Sequence, residues 1–103
     1  MKKKELESKL YDICGDVQII VNKYYDYAAK MKTNVSNGEL VEITIDYYDE
    51  NNLVMLEFLF DDGSIVCEDF HLDHLEVKYD LYLEGEIISL IDNSSNKSLH
   101  IQH

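Results

Sequence analysis

Cys67, Asp69, His71 and His74 fall within eight residues, and thiolate, carboxylate and imidazole are groups that zinc accepts. On a strand the first three share one face, and His74 can fold back from a following turn. The paired-cysteine spacings of structural zinc sites are absent, however, and i+2 neighbours on a strand rarely converge on one tetrahedral ion. No metal and no other cofactor is therefore expected. A Cys–His nucleophile built on Cys67 or Cys14 has no glycine-rich turn to form an oxyanion hole. It also has no basic neighbour to favour the thiolate. Carboxylates abound, but acid–base catalysis needs two of them in contrasting environments. Gly15, Gly38, Gly63 and Gly85 are too scattered to cradle a phosphate. No catalytic residues are assigned, and no enzyme is expected.

Negative charge is what the chain has in quantity, and it is unevenly placed. Residues 39–92 hold sixteen of the twenty-one acids and a single lysine, Lys78, for a local balance of −15. Residues 1–38 balance at +2 and the last eleven at +1, giving −12 overall. Such a field repels anions, attracts basic surfaces and speeds encounters with them. The chain has no arginine, hence no bidentate fork for a phosphate or a guanine edge. Direct binding to nucleic acid is not expected of it.

The 103 residues suit one domain (1–103), and 46% apolar content with eight tyrosines argues for a packed core rather than disorder. Two cysteines 53 positions apart read as reduced thiols. Lys2, Lys3 and Lys4 begin like a signal peptide, but Glu7, Lys9 and Asp12 interrupt any apolar segment after them. No stretch has the length of a membrane span. These features predict a cytoplasmic protein that does not engage a membrane.

Leu6, Leu10, Ile13, Val17, Ile20 or Val21, Tyr24, Ala28 and Met31 recur at threes and fours, which predicts one amphipathic helix from about Lys4 to Met31. Gly15 weakens it, and Ile19 falls off the stripe. Residues 33–38 read as a stop and a loop. After Gly38 the period becomes 2. Val41, Ile43, Ile45 and Tyr47 alternate with polar partners, and Leu53–Phe60, Ile65–Leu72 and Leu75–Leu83 follow as further strands. Glu86–Ile91 suits a fifth strand or a short helix, and Ser98–His103 a short final strand. The expected fold is α+β. One long helix (1–32) packs on an antiparallel meander of four to five strands, with the acidic sheet over 39–92 and a loop and short strand over 93–103, in two layers.

Alternation then decides where the acids point. With odd positions toward the helix, Glu42 and Asp46 share the wet face, as do Glu76, Asp80 and Glu84. Positions i and i+2 on a strand are about 6.8 Å apart, a pitch at which carboxylates can imitate a phosphate backbone. Asp49 and Glu50, and Asp61 and Asp62, add charge at two hairpin tips. Tyr48 and Tyr82 offer aromatic anchors. This set is the expected partner-binding surface. In size, acidity and lack of motifs the chain resembles small phage or mobile-element inhibitors of host defence nucleases, anti-CRISPR proteins among them. The resemblance is one of profile and carries no residue roles. It implies a non-enzymatic DNA mimic that occupies the basic, nucleic-acid-binding surface of a nuclease or similar partner. An immunity protein against a cationic nuclease toxin has the same physics. A structural assembly subunit using the helix stripe is a third possibility, and the sequence leaves monomer and homodimer open.

Overall fold

The computed structural model describes residues 3–24, 30–83 and 85–103. The chain forms α1 (Lys3–Tyr11), β1 (Gly15–Tyr24), β2 (Lys30–Tyr48), β3 (Leu53–Phe60) and β4 (Ile65–His71). A 3-10 turn at Leu72–His74 leads into β5 (Leu75–Tyr82), β6 (Gly85–Asp92) and β7 (Lys97–Gln102). The strands make one antiparallel sheet in the order β4-β3-β2-β1-β7-β6-β5.

The two-layer α+β expectation is overturned, because the long helix stops at Tyr11. Gly15 has φ +80, a conformation strained for residues with a side chain, and there the chain turns into β1. Ile19-Ile20-Val21 is a β-branched run, which suits a pleated surface better than a helix. Val17 and Val21 fit a helical stripe and a strand alternation equally well. Ile19 does not: it lies off the helical stripe, yet it is fully buried in the strand. The loop expected at 33–38 is also overturned. Asn34–Gly38 belong to β2 and pair with Val21–Val17 of β1, so the ladder overrides their low strand propensity. With the helix goes the idea of an assembly stripe along it, since Leu6 and Leu10 are both 0% exposed. Glu86–Ile91 is strand, inside β6. Residues 25–29, the part of the expected helix that carries Ala28, lie outside the described residues.

A flat sheet is incompatible with this order. β4 and β5 are its two edges, yet three residues join them, a span of roughly 10 Å. Flat, seven strands would hold those edges about 29 Å apart. The sheet therefore curls into a half-closed barrel. Side chains that meet across it show the same curvature: Lys97 of β7 binds Asp69 of β4 at 2.9 Å, and Lys23 of β1 comes within 3.6 Å of Glu68 on β4. Among the described residues, no backbone pairing joins β4 to β5.

The core fills the concave side. Val54, Leu56, Phe58 and Phe60 of β3, Val66 and Phe70 of β4, Val17, Ile19 and Val21 of β1, and Leu99 and Ile101 of β7 all point into it. Leu6 and Leu10, one helical turn apart, project into the same interior and make α1 its plug. Nine residues are too few for a helix to persist alone. Burying each leucine contributes about 1.5–3 kcal/mol, and that packing keeps α1 formed. Among the described residues, no helix is long and apolar enough to cross a membrane.

Candidate anionic face

Beyond the bulge at Leu40/Glu42, β2, β3 and β4 run side by side, and register places their outward residues in rows. Asp46 lies opposite Met55, and Met55 opposite Asp69. Thr44 lies opposite Glu57, and Glu57 opposite Cys67; Glu42 lies opposite Leu59, and Leu59 opposite Ile65. Glu42, Asp46 and Tyr48 are all exposed on this convex face, Tyr48 by 46%. The hairpin tip with Asp49 and Glu50 caps one end. The tip with Asp61 and Asp62 caps the other, about 27 Å away along an eight-residue strand. Glu57 belongs to this face although the alternation argument left it out. Its signal was that it is the lone charge in an otherwise apolar strand.

The other expected contacts do not join this face. Glu76, Asp80 and Tyr82 are exposed on β5, at the far edge of the sheet, with β1, β7 and β6 between it and β2. That is about 19 Å of strongly curved sheet. Glu84 lies outside the described residues. The 6.8 Å pitch is not realised either. Glu42 and Asp46 are four residues apart on one strand, or about 13.6 Å. The intervening belt of β1, β7 and β6 is largely uncharged on its convex side. His100 there joins Ser89 through Nδ1 at 2.8 Å and Ser98 through Nε2 at 3.1 Å.

Internal carboxylates hold several of the lysines. Glu68, 7% exposed, accepts Asn34 Nδ2 at 2.8 Å and faces Lys97 at 3.3 Å and Lys23 at 3.6 Å. Lys97 also binds Asp69, and that hydrogen bond holds the Asp69 carboxyl below its ordinary value. Lys3 pairs with Asp49 at 2.9 Å and lies over the Tyr47 ring. Residues 39–77 contain no lysine at all, and among the described residues Glu42, Asp46, Glu50, Glu57 and Asp61 form no ion pair.

The candidate chemistry is dispersed or satisfied. Cys67, Asp69 and His71 do share the outward side of β4, but Asp69 turns to Lys97 and His71 to Asp92. Among the described residues, no three His, Cys, Asp or Glu side chains gather as metal ligands. Burial raises the pKa of the Cys67 thiol, and Glu57, Glu68 and Asp69 raise it further. That is the reverse of an activated nucleophile.

Ser94, His71 and Asp92 do come together, as the groups of a hydrolytic triad would. Asp92 Oδ2 and Ser94 Oγ, however, both contact the same ring nitrogen, Nδ1 of His71, at 2.9 and 3.1 Å. A triad needs the serine on the opposite nitrogen, so this arrangement cannot relay a proton from Ser94. It serves instead to satisfy a buried carboxylate.

At the end of the sheet holding Gly38 and Gly85, a cleft of about 600 Å3 is lined by Gln18, Asn37, Gln102, Tyr82, Asp16 and His103 among others. Its charged groups are the carboxylates of Asp16 and Glu86, and Glu86 is already held by His103 Nδ1 at 2.9 Å. Comparison with protein-family models, curated proteins and solved structures gives no match to this chain.

Proposed function

We propose that this chain is a non-enzymatic acidic binding protein of the cytoplasm. It lays the convex face of β2, β3 and β4 on a basic, nucleic-acid-binding surface of a partner protein and blocks that surface by competition. The supporting observation is the segregation of charge. Glu42, Asp46, Glu57 and the two acidic hairpin tips stand together on a stretch without lysine. Tyr48, Leu59 and Ile65 beside them supply apolar contact of the kind that anchors interfaces. Steering by such a field raises association rates steeply at low salt.

The test is capture of the partner from the native host with washes of graded salt, followed by displacement of labelled DNA or RNA from that partner. Reversing Glu42 and Asp46 to lysine lowers affinity by about tenfold or more and flattens its salt dependence. Retention that ignores both salt and the double reversal would sink the proposal. Capture of a cationic toxin nuclease, rather than a defence nuclease, would assign the same face to immunity.

A further inference from the structure

β5 closes the sheet on one side only. It pairs with β6, and among the described residues Glu76–Tyr82 make no other backbone hydrogen bond. Its second half also stands clear of the core: Tyr79, Leu81, Tyr82 and the adjoining Leu83 are 48%, 75%, 56% and 108% exposed. A free edge carrying apolar side chains is a template for another strand.

We propose that β5 of a second copy of this chain covers this edge. The two strands run antiparallel about a two-fold axis through Tyr79. The choice of occupant rests on self-complementarity. A two-fold perpendicular to the sheet keeps like faces together, so odd residues oppose odd and even oppose even. With the axis at Tyr79, Tyr79 meets its own copy and Val77 meets the partner's Leu81, which gives one apolar face. On the other face Lys78 meets the partner's Asp80, and Glu76 meets the hydroxyl of the partner's Tyr82. Each of these contacts occurs twice. Lys78 is the only lysine in residues 39–92. Two registers set it opposite a carboxylate of β5: this one, against Asp80, and an axis at Val77, against Glu76, but the latter overlaps only Leu75–Tyr79 and leaves the exposed Leu81 and Tyr82 uncovered. Among the described residues of its own chain it pairs with Glu76 alone, at 3.9 Å, with both side chains half exposed. Moving the axis to Lys78 sets Lys78 against itself and Glu76 against Asp80. Moving it to Asp80 sets that carboxylate against itself. Moving it to Leu81 leaves only Asp80–Tyr82 overlapping, because β5 ends at Tyr82.

Area is compatible with a specific pair. Two half-exposed tyrosines and two largely exposed leucines, with the strand edge, offer on the order of 500 Å2 per copy. The pair buries roughly 1,000 Å2, the low end of specific interfaces. The acidic face on β2, β3 and β4 takes no part, so the dimer stands or falls independently of the function proposed above.

Sedimentation equilibrium of the full chain at physiological salt, from micromolar to high micromolar concentration, tests this. A reversible dimer is expected. Lys78→Asp and Asp80→Lys each weaken it by about tenfold or more, because like charges then face one another. The combined exchange restores affinity to within about threefold, since the pair is rebuilt with reversed polarity. Leu81→Ser, which leaves charge alone, weakens the dimer as well. A monomer at every concentration, indifference to the single reversals or to Leu81→Ser, or a double exchange that fails to rescue would each overturn the proposal.

Discussion

Asp92 and His71 are joined twice: Oδ2 of the carboxylate accepts the His71 backbone N–H at 2.8 Å and its ring Nδ1 at 2.9 Å. The other oxygen accepts the Ser94 N–H at 2.9 Å and its hydroxyl at 2.6 Å. The Asp92 side chain is 0% exposed. Burial alone would raise its pKa, but the bonds from His71 and Ser94 prevail and hold it well below the usual carboxylate range. This one side chain ties the end of β4 to the turn between β6 and β7, where the curled sheet comes nearest to closing.

Asp92→Asn keeps the shape but turns an N–H pair toward groups that need an acceptor, so about 2–4 kcal/mol of stability is lost at neutral pH. A carboxyl held low in the folded state contributes its stability fully above the unfolded value of about 3.9, and loses it as pH falls toward the folded value. The gap between wild type and variant, read by urea unfolding, is therefore wide at pH 7 and narrower at pH 3. Equal gaps at both would contradict the assignment.

Gly85 should tolerate no side chain. A Cβ there would sit 2.2 Å from the backbone oxygen of His103, and φ is +150. That oxygen is itself held by the Glu86 N–H at 3.0 Å, and His103 N–H returns a bond to Glu86 at 2.9 Å, so neither strand can yield cheaply. Gly85→Ala costs about 2–4 kcal/mol, a drop in Tm of about ten degrees or more. Gly63→Ala is the control: φ is +86, but nothing lies within 4 Å, so only the backbone penalty of about 1–2 kcal/mol applies. Similar losses in both would mean that the approach to His103 is not the cause.

Cys67 should react sluggishly despite its exposure. With burial and three acids raising its pKa, the thiolate fraction at pH 7.5 is small. In a Cys14→Ser background, a disulfide reagent modifies folded Cys67 several-fold more slowly than the same thiol in urea. Asp69→Asn speeds it, because one repelling charge is gone. A folded rate as fast as the unfolded one would show that the acids do not act on the thiol.

Val41–Tyr48 and Leu75–Tyr82 announced themselves through alternation, and Leu53–Phe60, apolar on both sides but for Glu57, has the bounds its sequence suggested. Residues 15–38 did not, for two separate reasons. Val17 and Val21 recur at an interval that suits a helix as well as a strand. Asn34, Ser36 and Asn37 are strand only because β1 lies beside them. The outward side of Glu42, Asp46, Glu76 and Asp80 was readable in the same way, since parity is a local property, whereas that of Glu57 and the inward turn of Glu68 were not. Adjacency is not local: nothing in the alternation of Leu75–Tyr82 says that β5 sits at the edge opposite β4. Glu42 and Asp80 therefore seemed neighbours until the strand order parted them.

Because β1 is paired with β7, Gln18 waits for Gln102, 84 residues later. A ribosome releases the first four strands long before that seam can be zipped. Until then β1 presents a bare rim, and the dense charge of the half-made chain is its main protection against clumping. Folding dominated by so distant a pairing is slow, in the range of milliseconds to seconds.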